Sequence, residues 1–208
     1  MSEPTPGVFF GSGNANGSWT VDTAKGIELG LRTHQRYPSP ANVFNSGGDG
    51  TYAWADQLGY TGSDRSSWNY DFSINVAGTN LAVGDFTFQL WIDSDPGAGH
   101  AWTFFDPSSI PDNAVSGTAY EQNSENVRFS GVGIPGYNNT IAGSYDFSLR
   151  AYDKTSGDLL ANTYMRVNVN NGTATGAFNG SVPDSGTTLV LLGGALTGLG
   201  ALRRKFRA

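Results

Sequence analysis

Two stretches of this chain alternate apolar and polar residues with a period of two, and no other feature narrows the fold as much. Trp68, Tyr70, Phe72, Ile74 and Val76 alternate with Asn69, Asp71, Ser73 and Asn75. Phe86, Phe88, Leu90 and Ile92 repeat the rhythm against Thr87, Gln89 and Trp91. Successive side chains of a strand point to opposite faces, so each stretch reads as a β-strand with one face in a core. The connection at 77–84 is short enough for the two to pair as a hairpin. Tyr145, Phe147 and Leu149 mark a third strand, and Met165, Val167 and Val169 a fourth. The turn Lys154-Thr155-Ser156-Gly157-Asp158 joins these as a second hairpin. Weaker strand signals lie at 18–22, 27–36, 51–55, 101–105 and 126–129. The loop Asn45-Ser46-Gly47-Gly48-Asp49-Gly50 reads as a further hairpin loop, and without a lysine it holds no phosphate.

About nine short strands between Gly-, Asn-, Asp- and Pro-rich loops predict an all-β fold, a two-sheet antiparallel β-sandwich of jelly-roll or Ig-like type. Composition agrees: 29 of 208 residues are glycine, aromatics make up 12%, and charged residues only 14% against a typical ~25%. A helical bundle is excluded by the glycine content, and a disordered chain by the aromatics. The absence of cysteine excludes disulfides and cysteine zinc sites. The predicted sandwich spans residues 1–169, and the uncharged stretch 170–181 (NNGTATGAFNGS) reads as a flexible linker.

Residues 182–208 form a different object, with three parts in order. Val182, Pro183, Asp184, Ser185 and Gly186 interrupt regular structure; 189–202 carries no charge and is rich in Leu, Gly and Ala; Arg203, Arg204, Lys205 and Arg207 close the chain. As a helix, the fourteen central residues would measure about 21 Å, and a start at Ser185 extends that to about 27 Å, near the ~30 Å hydrocarbon core. Gly194 and Gly198 form a small-xxx-small pair suited to close helix approach. The positive-inside rule would place the basic cluster in the cytoplasm. Residues 1–182 then hold eight basic and seventeen acidic side chains, a net charge of −9. Such an acidic body offers no basic stripe for nucleic acid.

In this order the three parts resemble the PEP-CTERM family of bacterial sorting signals, in its VPDSG variant. The resemblance covers about an eighth of the chain. It implies that Val182, Pro183, Asp184, Ser185 and Gly186 are the recognition motif. It further implies that 189–202 is a hydrophobic sorting helix crossing the inner membrane transiently, and that Arg203, Arg204, Lys205 and Arg207 are the stop signal. The implied partner is an exosortase, a membrane protease-transpeptidase that processes the tail near the motif, in a Gram-negative type of envelope and often an exopolysaccharide-producing host. Asp-Ser-Gly stands where the commoner form has Glu-Pro, which implies a variant processing enzyme.

Export also calls for an N-terminal signal. Met1-Ser2-Glu3-Pro4-Thr5-Pro6 has no basic region, and Val8-Phe9-Phe10 is shorter than an apolar signal core. The expectation is that this chain begins near the mature terminus.

Chemistry is harder to find in the body. His34 falls among Arg32 and Arg36 on what reads as an exposed polar face, and His100 follows a Gly-rich loop. No Gly-x-Ser-x-Gly elbow accompanies them. Two isolated histidines without cysteine do not suggest zinc. Asp93 and Asp95, in Asp93-Ser94-Asp95-Pro96-Gly97 with Asp106 and Asp112 downstream, present oxygen ligands of the kind calcium takes. The competing reading is an ordinary Asx-turn at a strand end. Trp91 is out of phase with the apolar face of its strand, and with Trp102 and Trp54 it is a candidate for stacking on sugars; packing under loops is the competing reading. The functional expectation is a non-enzymatic exported protein, sorted to the cell surface or an exopolysaccharide matrix. The alternative is a carbohydrate-binding or calcium-dependent adhesive sandwich module.

Overall fold

The computed structural model describes residues 19–38, 41–43, 50–55, 65–113, 115–170 and 172. The chain divides into two units, Met1–Phe178 and Asn179–Ala208, and every described residue belongs to the first. The predicted sorting motif, hydrophobic helix and basic cluster lie outside the described residues. Among the described residues no helix is long and apolar enough to cross a membrane.

Among the described residues eleven strands build two sheets: β1 (Thr20–Ala24), β2 (Ile27–Gln35), β3 (Ala41–Val43), β4 (Thr51–Trp54), β5 (Trp68–Asn75), β6 (Phe86–Asp93), β7 (Trp102–Phe105), β8 (Val115–Ser116), β9 (Tyr120–Asn126), β10 (Gly143–Asp153) and β11 (Leu159–Val169). The first sheet runs β1-β2-β5-β9-β8 with β3 also paired to β2; the second runs β4-β11-β10-β6-β7. Their inner faces meet in one core. Leu29, Leu31, Tyr70 and Phe72 come from the first sheet and Phe88, Leu90, Phe147 and Leu149 from the second, all buried. Phe147 fixes the contact, with its ring 5.2 Å from Tyr70 and 6.4 Å from Trp68. The all-β sandwich is therefore as the alternation predicts, with one exception to the antiparallel expectation: β4 pairs β11 in parallel.

The hairpin expected between 68–76 and 86–92 does not form. β5 lies between β2 and β9, and β6 between β10 and β7, in opposite sheets. Their apolar faces enter the same core from opposite sheets instead of lying side by side. Two short 3-10 turns, Ala77–Thr79 and Val83–Asp85, carry the chain over the roughly 10 Å between stacked sheets. The loop expected at 45–50 lies outside the described residues except for Gly50; β3 and β4 belong to different sheets. The second expected hairpin is present: β10 pairs β11 from Gly143↔Val169 to Tyr152↔Leu159. The weak signal at 126–129 falls just past β9, whose sequence YEQNSEN has no apolar alternation to reveal it.

The polar face of the first sheet is buried as well. Every position of β5 is buried, and Arg32, His34, Asn69, Asp71, Ser73, Gln122 and Asn126 are each at most 3% exposed. His34 is thus not on an exposed polar face, and the reason is charge compensation. Arg32 Nε donates to Asp71 Oδ2 at 2.6 Å and His34 Nδ1 to the same oxygen at 2.9 Å, while the Trp19 ring lies 4.5 Å from the Arg32 guanidinium carbon. Around them Asn69 donates to Ser124, Gln122 to Ser73, and Asn126 to Asn69. Burial alone would raise the Asp71 carboxyl. The charges of His34 and Arg32, with hydrogen bonds from His34 and Ser124, outweigh it and hold the group below its ordinary value.

At one end of the sandwich, the loop after β9 is pinned by two aromatic bonds. Trp68 Nε1 donates to the Tyr137 hydroxyl at 2.9 Å, and the Tyr70 hydroxyl to the Val132 carbonyl at 2.6 Å. Gly133 sits where a Cβ would collide with the carbonyl oxygens of Val127 and Phe129.

Removing one member of the Arg32–Asp71 pair leaves a buried charge without its partner. Asp71→Ala should cost about 3–5 kcal/mol in urea unfolding, and Arg32→Met with Asp71→Leu should recover part of that loss. A double variant no more stable than the single would show that the pairing itself does not matter. Because the folded Asp71 carboxyl is held low, its contribution is present at neutral pH and lost as acid protonates it.

Candidate functional site

The outer face of the second sheet follows from the same period of two that buries Phe88, Leu90 and Ile92. Thr87, Gln89, Trp91 and Asp93 must point the other way. Register then sets who stands beside them. Trp91 lies between Phe104 on β7 and Ser148 on β10, and Ser148 faces Tyr164 on β11. One step along, Asp93 pairs with Trp102, and Asp146 with Arg166. Two rows of cross-strand neighbours result, one aromatic and one charged.

In the aromatic row Trp91 stacks on Phe104, with centroids 4.5 Å apart and planes at 26°. The Arg150 guanidinium sits 4.9 Å from the Trp91 ring and 6.0 Å from Tyr164, a cation–π arrangement. Trp91 Nε1 donates to Gln89 Oε1 at 3.0 Å, and Asn162 donates to the Tyr164 hydroxyl at 3.0 Å. Trp91 does face outward, as its phase predicts, but its ring already has two partners and is half-buried. Trp102 and Phe104 are the rings with free area, at 37% and 54% exposure. Trp54 packs against the core and donates to Ser67 Oγ at 3.1 Å, so it is not part of this face.

The charged row is built around Asp93, which is 2% exposed. Its Oδ1 accepts the backbone N–H groups of Asp95 and Ala101 at 3.0 and 2.7 Å, closing the loop between β6 and β7. Its Oδ2 accepts from His100 Nδ1 at 2.7 Å. Asp146, arriving from β10, accepts both prongs of the Arg166 guanidinium, at 2.6 and 2.7 Å, and its Oδ2 stands 4.0 Å from His100 Nδ1. Trp102 stacks on the His100 ring at 5.3 Å. Asp95 is turned to another task, accepting the Gly97 N–H at 2.8 Å. The structure therefore gathers Asp93 with His100 and Asp146, not with Asp95. No sequence signal joined Asp146 to that loop, because the two meet only through the β6–β10 pairing.

A second concave feature opens on the β9 side of the sandwich, a cleft of about 400 Å3 lined by Phe105, Ile110, Asp112, Glu125 and Val132. Glu125 projects from β9 toward the core side and is 5% exposed, accepting one hydrogen bond from Asn123 at 2.8 Å. Burial, followed by the charges of Asp112 and Asp71, pushes its carboxyl up to about 7. Four residues earlier on the same face, Glu121 is also pushed up to about 7, by burial and then by Asp106.

Comparison with known proteins bears on the other end of the chain. Residues 181–206 match a family model described as the VPDSG-CTERM motif. The chain carries a PEP-CTERM-like sorting tail. The match takes in Val182, Pro183, Asp184, Ser185 and Gly186, the hydrophobic stretch and Arg203, Arg204 and Lys205, and stops one residue short of Arg207. A motif of this kind points to export, sorting to the cell surface and a processing partner such as an exosortase. No curated protein and no solved structure matches the chain.

Glu125 generates a pH prediction of opposite sign to that of Asp71. A carboxyl held above its unfolded value binds more protons in the folded state, so the contribution of Glu125 to stability is fully present below about pH 4.5 and is lost as pH rises through about 7. Glu125→Gln should remove much of that fall and stabilise the body at pH 8 by at most about 3 kcal/mol, read from urea unfolding at pH 5 and pH 8. Equal slopes in both proteins would contradict the assignment.

Proposed function

We propose that this chain is a non-enzymatic exported β-sandwich protein, sorted through its tail by an exosortase to the cell surface or exopolysaccharide matrix. The observation that carries this reading is the VPDSG-CTERM match at 181–206, placed behind a β-rich body that carries most of the acidic charge. In this reading Val182, Pro183, Asp184, Ser185 and Gly186 present the motif and 189–202 crosses the inner membrane transiently. Arg203, Arg204, Lys205 and Arg207 hold the end of the chain on the cytoplasmic side, as the positive-inside rule requires. Processing near the motif releases the body. The tail is a substrate and contributes no catalytic group.

One observation favours a second reading, that the body binds carbohydrate once it is outside. Trp102 and Phe104 lie exposed beside Trp91, with Gln89, Arg150 and Asn162 on the neighbouring row. Flat rings next to hydrogen-bonding side chains suit the apolar faces and hydroxyls of a sugar. A calcium-dependent form of the same module, resting on Asp93 and Asp95, has less support, since Asp95 is turned to the Gly97 N–H and is not gathered with Asp93.

Intact mass of material stripped from the cell surface tests the sorting. The expected chain ends near Gly186, whereas full-length protein recovered from the cytosol would overturn it. For the second reading, electrophoresis through gels containing the host's exopolysaccharide should retard the protein, and Trp102→Ala with Phe104→Ala should abolish the retardation. Unretarded migration of the unaltered protein removes that reading and leaves the sorting untouched.

A further inference from the structure

We propose that Asp93, His100 and Asp146 bind one divalent transition-metal ion, of the zinc class, on the outer face of the second sheet. The three side chains reach one point from three places: the end of β6, the start of the chain leading into β7, and β10. One donor atom from each lies within 4.8 Å of the other two. Their spacing admits a metal in place of the hydrogen that His100 Nδ1 now donates to Asp93, a proton that binding would release. Zinc–nitrogen and zinc–oxygen bonds of about 2.0–2.2 Å in a tetrahedron put ligand atoms about 3.4 Å apart. The two distances from His100 Nδ1, 2.7 Å to Asp93 and 4.0 Å to Asp146, bracket that value. Closing the set moves each His100 distance by about 0.6–0.7 Å and, with every separation at most 4.8 Å, no pair by more than about 1.4 Å, a movement within the reach of side-chain torsions.

Charge points the same way. Asp93 and Asp146 are 2% and 7% exposed, and two carboxylates this close repel each other in a medium that screens poorly. Arg166 offsets one of the negative charges. The single hydrogen of His100 Nδ1 is donated to Asp93, and a bound cation would offset the remaining negative charge of the pair. A metal ion would supply that offset, and it would also account for the approach of Asp146 to the same nitrogen.

Each ligand is steadied from behind in the manner of metal sites. Backbone N–H groups hold Asp93 Oδ1, Arg166 holds Asp146, and the Trp102 ring backs the imidazole. Carboxylate oxygens keep further lone pairs after accepting those bonds. The His100 side chain is 27% exposed, so a fourth position opens to water. One imidazole nitrogen and two carboxylates suit zinc, cobalt or nickel; calcium takes six to eight oxygens.

The site stands apart from the sorting reading and is tested by metal alone. Full-length chain stripped with chelator and dialysed is titrated with cobalt(II), followed by visible absorption, and with zinc chloride, followed by calorimetry. One equivalent of each should bind. His100→Ala should abolish the cobalt band and weaken zinc at least tenfold, Asp146→Asn should weaken it similarly, and Asp95→Asn should leave it unchanged. Thermal unfolding without metal checks that each variant is folded. Absence of stoichiometric binding would overturn the proposal. Binding that survives in folded His100→Ala, or that responds to Asp95→Asn instead, would overturn it equally.

Discussion

The register of β10 governs most of this body. Paired to β6 on one edge and β11 on the other, it sends Tyr145, Phe147 and Leu149 into the core and Asp146, Ser148 and Arg150 to the outer face. A slip of one residue would exchange the two sets, exposing Phe147 and driving a guanidinium and a carboxylate between the sheets. Burial of the aromatic core therefore specifies the outer face as firmly as it specifies the inner one. The functional surface inherits its geometry from packing it does not touch.

Two charge networks sit on opposite outer faces and behave differently. The Arg32–Asp71–His34 cluster is sealed, with all three side chains at 0% exposure, and its effect is on stability. The Asp93–His100–Asp146–Arg166 cluster reaches solvent through the imidazole and is bordered by exposed rings. Both use a guanidinium to hold a carboxylate at 2.6 Å. Openness separates the structural network from the one able to meet a ligand.

The local rhythm of the sequence was readable wherever apolar residues mark it. The strands at Trp68–Asn75, Phe86–Asp93, Gly143–Asp153 and Leu159–Val169 follow from alternation, and the outward turn of Trp91 follows from its phase. What alternation lacks is any statement about partners. It placed β5 and β6 side by side when they lie in opposite sheets, because a strand with a bulky apolar face is equally suited to both arrangements. It made His34 exposed, because polar residues in phase look solvated until a second set of polar residues, on β5 and β9, is found to cover their hydrogen bonds. It left Asp146 out of the site, since a residue more than forty positions from His100 is brought there only by sheet pairing. The tail was the reverse case. Its meaning lies in the linear order of motif, apolar stretch and basic cluster, which no tertiary contact is needed to read.

The parallel pairing of β4 with β11 bears on how such a chain tolerates processing. β11 is an interior strand, bonded to β10 along one edge and to β4 along the other, and the Asn170 N–H bonds the Trp54 carbonyl just past its end. The last strand of the body is thus clamped from both sides a dozen residues before Val182. A cut at the motif would fall downstream of this clamp and would unzip no strand among the described residues, so the hydrogen bonds that close the sheet do not depend on the address that follows it.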